Sequence, residues 1–545
     1  MSTVSWHPAT HIGRNNPQFS PLRTTVETAF YANHMTPLTD IAQAYELAKA
    51  APGTIVLDRP VKNARELGLP EDAKILVENG GRVTGRTAAA RRLWGTEEDK
   101  TLLAIVRDVI HNNSLRSFYK TTAFVGLDES FMIRAHLALP KEEVNNLYSW
   151  LLNFQWASPD YEARYQASRN FDEADIYLYA DPQWSHPDYP MGLAYFDPAA
   201  NVAIVLGMQY FGELKKGTLT LAWTIAHRHN FVSCHGGLKS FILPDATYVA
   251  SFFGLSGTGK STLTHAKHND KYGIKVLHDD AFVVDIETLQ SVALEPSYFD
   301  KTQDYPYGHP EQDYFVTVQN VGVTLDPEGH KVIVTEDIRN GNGRTVKSRF
   351  STPNRVDKFN DPINAVFWLM KDDALPPVLK IDKADLATIF GLTLATKRST
   401  AENVAAGTNL NQLVIEPFAN PFRVYHLAED CASFEALFAS GDVDCYILNT
   451  GFFLDKKVTA PVTLSILEAI VEKTAQFQNF GPLPDLYYLP IDGYEVDFDN
   501  PDYVALIKDR LYFRKHWIEI FNQEHTDKLS MHYVVALDKL LTSLD

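Results

Sequence analysis

The sequence predicts a mixed α/β protein of two domains divided near residue 237, and three observations carry that prediction. A chain of 545 residues is too long for one hydrophobic core. Helical periodicity dominates the early part, and short apolar runs punctuated by Pro, Asp and Gly take over from residue 175. Finally, the apolar run 248–253 leads directly into a glycine-rich loop and then into residues able to open a helix. The expected domains are therefore residues 1–236 and residues 237–545, the second carrying the loop.

Helical spacing covers residues 40–51, 96–112 and 141–156. The last follows Pro140 and places Glu142 and Glu143 in its first turn, which suits a helix start. Strands are expected at 175–179, 202–208, 248–253, 275–277, 315–318, 331–334, 365–369 and 445–449. Helices return at 433–438 and 462–477, and the tail beyond Pro501 reads as mostly helical. There is no internal repeat and no low-complexity tract.

Composition narrows the function class. Hydrophobic residues make up 45% and charged residues 22%, the balance of an ordinary globular enzyme. With 50 Lys+Arg against 68 Asp+Glu the net charge is -18, a surface that repels nucleic acid and anionic lipid. Neither is expected as a partner. Three cysteines, Cys234, Cys431 and Cys445, without CxxC spacing speak against a disulfide framework and fit a reducing compartment. The first residues lack a basic stretch followed by an apolar run, and the most apolar segment, 241–255, is broken by Asp245. A soluble, cytoplasmic protein is expected. Composition does not indicate an oligomeric state.

Gly254-Leu255-Ser256-Gly257-Thr258-Gly259-Lys260-Ser261 fits the phosphate-loop pattern G-x-x-x-x-G-K-[ST] at every fixed position, and Thr262 follows into a helix. The glycines let successive N–H groups converge on phosphate oxygens. Lys260 is placed to reach the β/γ-phosphates of a nucleotide and Ser261 to hold Mg²⁺. Asp279 and Asp280 follow the apolar run 275–277 one helix and one strand later. Paired aspartates are usually solvated turns, but this position suits metal-directed carboxylates.

The run GLSGTGKST at 254–262 is more specific than the generic loop and closely resembles the ATP-dependent phosphoenolpyruvate carboxykinases. Other landmarks of that family occur in order. Thr84-Gly85-Arg86 resembles its TGR element, whose arginine binds the carboxylate substrate. The run Tyr210-Phe211-Gly212-Glu213-Leu214-Lys215-Lys216-Gly217 resembles YxGExKKG, whose tyrosine and lysines line the oxaloacetate site and whose second lysine ligates a metal. His235 stands at the separation expected of a metal-ligating histidine, and Asp279-Asp280 resembles the paired aspartates of which the second is also a ligand. Ser348-Arg349-Phe350-Ser351-Thr352-Pro353 resembles TRxxYP, whose arginine bridges substrate and transferred phosphate. Leu375-Pro376-Pro377-Val378 and Leu448-Asn449-Thr450-Gly451 resemble LPPV and VNTGW.

The resemblance implies a two-domain carboxykinase-like α/β fold with a P-loop-containing, mixed-sheet nucleotide-binding domain after an N-terminal substrate-binding domain. It implies oxaloacetate or phosphoenolpyruvate as substrate and ATP or another nucleoside triphosphate as donor. It also implies Mg²⁺ and a second ion, Mn²⁺, held by Lys216, His235 and Asp280, a ligand mix suited to a transition metal. The sequence departs from the family too. Ala281-Phe282-Val283-Val284 stands where the family reads EHGW, Thr87 and three alanines stand where it reads SPKDK, and the lid region has no clear counterpart between Ala405 and Phe422. Two further readings stay open on that account. One is a kinase of another small acid or hydroxyl compound on the same scaffold, and the other is a nucleotide-binding regulatory pseudoenzyme.

Overall fold

The computed structural model describes residues 20–78, 90–335, 343–397 and 412–545. Arg86 and residues 405–411 of the segment sought as a lid lie outside the described residues. The chain divides into two compact units: Met1–His229 with Val292–Pro353, and Asn230–Ser291 with Asn354–Asp545. The stretch Val292–Pro353, which a single boundary near 237 would place with the loop, packs in the first unit. Strand Phe315–Gln319 pairs there in parallel with Lys74–Glu78, Thr317 opposite Leu76.

Among the described residues the first unit holds two large sheets and the two-stranded pair Gly322–Leu325 with Lys331–Val334. One runs Met35–Pro37, Phe118–Asp128, Phe131–Pro140, Ile176–Asp181, Val202–Leu206, Leu193–Asp197, Arg91–Leu93, with Gln155–Trp156 paired to its second strand. The other is five-stranded, in the order Tyr298–Lys301, Arg344–Lys347, Phe315–Gln319, Lys74–Glu78, Thr54–Pro60. Helix Ile41–Lys49 starts where Asp40 accepts the backbone N–H of Ala42 and Gln43, a side-chain N-cap. Helices Asp99–Asn113 and Val144–Asn153 match the periodic segments, the latter after a short 3₁₀ turn, Lys141–Glu143. Helix Phe211–Arg228 has fifteen buried residues. Its N-terminus is fixed by buried Gln319, whose Oε1 accepts the N–H of Phe211 at 3.2 Å while Nε2 donates to Glu78 and Asn146, both at 3.0 Å.

The second unit is built on an eight-stranded mixed sheet, in the order Gly273–His278, Gly237–Ile242, Thr247–Phe253, Ala365–Met370, Asp444–Asn449, Val378–Ile381, Leu486–Tyr488, Gln478–Asn479. Thr247–Phe253, Ala365–Met370 and Asp444–Asn449 are mutually parallel and nearly wholly buried, as strands between two helical layers must be. Phe252, Phe367 and Tyr446 stand directly opposite one another and stack at 5.3 and 5.0 Å. On the other face Phe253 packs at 5.1 Å against Trp368, which meets Phe434 edge-on at 5.4 Å. Helices Leu427–Ala439 and Ala460–Val471 fall where helical spacing returned, and the tail forms Pro501–Glu524 and Met531–Ser543. Among the described residues no helix is long and apolar enough to cross a membrane.

Gln319→Leu should leave the Phe211 N–H and the Glu78 and Asn146 side chains without this partner. The expected loss is about 2–4 kcal/mol, read as a lower midpoint for the first unit in equilibrium urea unfolding.

Candidate active site

The phosphate loop leaves the buried strand Thr247–Phe253 and closes on the six-residue helix Lys260–His265. Gly254 is required by crowding, because a Cβ there would lie 2.4 Å from Thr258 Oγ1 and 2.8 Å from Leu369 Cβ. Gly257 and Gly259 take φ of 83° and 92°, a region L side chains rarely adopt. The Leu255 carbonyl accepts both the N–H and the hydroxyl of Thr258, at 3.1 and 2.8 Å, which holds the turn. Ser256, Gly257, Ser261 and Thr262 face solvent, as residues meant for a ligand should.

His235 and Asp280 meet because strands Phe231–His235 and Ala281–Asp285 pair antiparallel, His235 opposite Ala281. His235 Nε2 lies 3.0 Å from Asp280 Oδ1, and the Lys260 ammonium is 4.0 Å from the same oxygen. His235 Nδ1 is 2.5 Å from the Ala419 carbonyl oxygen, which can only accept, so Nδ1 carries a proton. The face toward the carboxylate is then an imidazole lone pair unless Nε2 is also protonated. A ring pinned from behind by a carbonyl, its other nitrogen beside a carboxylate, is the arrangement of a histidine that can ligate a metal through that nitrogen once it gives up the Nε2 proton. The residues present therefore fit a cation. Among the described residues no group of three or more His, Cys, Asp or Glu is placed to hold a metal ion.

The turn carrying the two aspartates is held by His278, fully buried, whose Nδ1 accepts the N–H groups of Asp280 and Ala281 at 3.0 and 3.2 Å. The turn sends the two carboxylates to different partners: Asp279 Oδ2 lies 3.5 Å from Nε2 of His265, the last residue of the loop helix. Burial pushes the Asp279 carboxyl up, but the hydrogen bond and charge of His265, with His278 and Lys260, outweigh it and hold it well below the usual carboxylate range.

The first unit places Tyr210, Lys215 and Lys216 along the start of helix Phe211–Arg228. Tyr210 precedes its first turn and its ring folds back over Gly212, where a Cβ would come within 2.2 Å, so the glycine of the motif is steric. Burial pushes the Tyr210 hydroxyl up, against the pull of Arg344. Lys215 is fully buried, not a surface lysine, and its ammonium lies 2.9 Å from Glu295 Oε1, whose other oxygen accepts from Asn153 at 2.6 Å. Lys216 is half-buried, its ammonium 5.9 Å from the centre of the Trp223 ring. Arg349, on the 3₁₀ turn Arg349–Ser351, donates to the Tyr161 hydroxyl at 3.2 Å.

Sequence reasoning missed the parts played by Glu295, His265 and Ala419, each set by a contact with a residue distant in sequence, and by His278, which is defined by its burial and by capping the turn just after it. Glu213 lay inside a quoted motif, and its significance emerges only from burial. It is 6% exposed, and burial pushes its carboxyl up to about 7, with Arg91 opposing. A carboxyl raised in the folded state binds its proton more tightly there than in the unfolded chain, so it weakens folding as pH rises from 4.5 through about 7. Glu213→Gln should therefore stabilise the protein little at pH 5 and by roughly 3 kcal/mol at pH 8, seen as a melting-temperature gap that widens with pH.

Comparison with known proteins gives the family that the sequence resembles. Residues 93–488 match the family described as "Phosphoenolpyruvate carboxykinase". A protein of Aeropyrum pernix named "Phosphoenolpyruvate carboxykinase (ATP)" is 26% identical over 324 residues, covering 56% of this chain and 63% of that one. A glycosomal protein of the same name from Trypanosoma brucei brucei is 24% identical over 341 residues, covering 58% of this chain and 68% of that one. A Campylobacter lari relative is 26% identical over 381 residues, 63% of this chain and 66% of its own length. The first of these matches thus spans less than two-thirds of the relative's length. With most of its length inside the family match and the phosphate loop intact, the chain belongs to the phosphoenolpyruvate carboxykinase family.

Proposed function

We propose that this protein converts oxaloacetate and a nucleoside triphosphate, ATP first, to phosphoenolpyruvate, CO₂ and the nucleoside diphosphate. The observation that carries this reading is the complete 254–261 loop at the end of a parallel strand, with Asp280 set between His235 and Lys260 at 3.0 and 4.0 Å. The relatives' names support ATP as donor. In the proposed division of labour the Tyr210–Lys216 turn, Arg86 and Arg349 handle the acid, and the domain carrying residues 254–262 handles the nucleotide. Three buried cysteines without a disulfide among them support a reducing compartment such as the cytoplasm.

His235 and Asp280, with Lys216 added by the family pattern, would hold Mn²⁺, and Ser261 would hold Mg²⁺ beside the phosphates, with Asp279 tensioning the loop helix through His265. A divalent ion held by these residues would supply positive charge against the negative charge of the enolate. Lys216 would have to ligate as a neutral amine, which the charge of the ion itself favours. Arg86 and Tyr210 orient the carboxylate that leaves. The C–C bond to it breaks and its electron pair forms the enolate. The enolate oxygen then takes the γ-phosphoryl group as the bond to the β-phosphate oxygen breaks. Lys260 and Arg349 neutralise the phosphoryl oxygens during transfer. Lys215 contributes less directly, because Glu295 already compensates its charge. No covalent enzyme intermediate is required, so catalysis is positioning and electrostatics.

A second reading, a kinase of another small acid, is favoured by one observation: Thr87 and three alanines replace the polar residues that follow the family's substrate arginine. The two are separated by assaying oxaloacetate-dependent formation of phosphoenolpyruvate and CO₂ with ATP, then GTP. Product with either donor supports the carboxykinase, and none from a chain that binds Mg-nucleotide supports the other substrate. A chain that binds nucleotide and turns over nothing is the regulator. Lys260→Ala should cost on the order of 10²–10³-fold in turnover with the melting temperature unchanged. In crystals soaked with Mn²⁺, anomalous density should lie about 2.0–2.3 Å from His235 Nε2 and an Asp280 oxygen; density elsewhere would remove the metal assignment.

A further inference from the structure

Lys239 is fully buried on strand Gly237–Ile242, and its ammonium is directed at the end of the phosphate-loop helix. It donates to the carbonyl oxygens of Leu263 at 2.6 Å and Ala266 at 3.2 Å, and its third neighbour is Nε2 of His268 at 2.9 Å. Burial pushes the Lys239 amine down to about 7, with the Glu468 charge opposing; in its ammonium form it has three protons and accepts nothing, which makes His268 Nε2 the unprotonated nitrogen. The ring proton then sits on Nδ1, 2.8 Å from the Glu468 carboxylate on helix Ala460–Val471. The three side chains form one ordered relay of ammonium, neutral imidazole and carboxylate. Burial, then the Lys239 charge, pushes the His268 imidazole down, which agrees with a neutral ring. The rings of Phe241 and Phe252 lie 4.7 and 5.8 Å from the ammonium and close the site.

The place of this relay is what gives it meaning. The loop helix has six residues, too few to be stable alone, and its last carbonyls lack helical partners. Lys239 supplies those partners and, in its ammonium form, a positive charge at the negative end of the helix. The strand approaches so closely that a Cβ on Gly237 would meet Thr264 Oγ1 at 2.0 Å, and that hydroxyl in turn donates to the Lys260 carbonyl at 2.9 Å. The C-terminal turn of the helix is thus tied down one turn from the residues that would face the phosphates.

We propose that Lys239 is a positioning residue for the nucleotide: by holding the Leu263 and Ala266 carbonyls it fixes the Lys260 ammonium and the Ser261 hydroxyl in the geometry that grips the β/γ-phosphates. The inference rests on residues 254–261 being the nucleotide phosphate loop. Lys239 touches no phosphate itself, and its part is played through the helix.

The test uses the full chain, with Mg-ADP titrated calorimetrically, nucleotide KM and kcat measured separately, and thermal melting as the check on folding. Lys239→Met fills the space between the phenylalanines and removes a buried charge, so it should fold. It should raise the Mg-ADP Kd and the nucleotide KM about tenfold while kcat changes far less. Glu468→Gln, which leaves the lysine in place but weakens its relay, should raise both by a smaller factor. If Lys239→Met does not fold, Glu468→Gln decides: a raised KM at unchanged melting temperature supports the proposal, and an unchanged KM overturns it. A wild-type chain that binds while folded Lys239→Met binds equally well overturns the proposal alone. A wild-type chain that does not bind Mg-ADP overturns the phosphate-loop reading and the proposal with it.

Discussion

The chemistry of the second unit depends on one close approach, that of Gly254 to Leu369 at the ends of two parallel strands. A Cβ on Gly254 would lie 2.8 Å from the Leu369 side chain and 3.2 Å from its carbonyl oxygen, so the loop begins in contact with the neighbouring strand. That contact fixes where the chain turns, and Gly257 and Gly259 then supply the positive φ angles that bring it back as a helix. The registration of the two strands is in turn held by Phe252, Phe367 and Tyr446, which face one another across three strands. Stacking of this kind adds roughly 0.5–1.5 kcal/mol per pair beyond the area buried. A phosphate loop needs a rigid base because its backbone N–H groups must already point inward when the ligand arrives, and a fully buried parallel strand is that base.

The His235 and Asp280 pair is produced by a different device. Neither lies on the eight-stranded sheet, and both come from the ends of two strands that pair with each other beside it. The pairing brings the side chains together without any help from the loop, while His278 caps the turn that carries the aspartates from within the core. The result is a division of charge. Asp279 answers to the loop helix through His265, whereas Asp280 shares its oxygen between an imidazole and the Lys260 ammonium. Two adjacent carboxylates that would repel each other in a turn are separated by being given different cations.

What could be read from the sequence was whatever is local. The loop, the strand before it and the helices with a polar face were legible because each carries its own period or fixed-position pattern. The hairpin Phe118–Asp128 and Phe131–Pro140 was not, since both strands are buried along most of their length and show no alternation. Helix Phe211–Arg228 escaped for the same reason, with fifteen buried residues and no amphipathic stripe. The return of Val292–Pro353 to the first unit depends on a strand pairing between Thr317 and Leu76, which no local pattern can announce. In the site, the residue types were legible and their second partners were not. Lys215 reads as a solvated charge until Glu295 is brought to it, and Lys239 reads as one polar residue in an apolar run.

The departure at residues 281–284 gains a physical explanation from the same pairing. Where the family reads EHGW, this chain has Ala281, Phe282, Val283 and Val284, all buried in a strand that runs antiparallel to Phe231–His235. Phe282 packs at 6.0 Å from Phe253, the last residue before the loop. A polar or glycine-containing run at those positions would leave side chains without partners or remove the ring that backs the loop strand. The substitution therefore strengthens the scaffold beneath His235 and Asp280 instead of adding groups beside them.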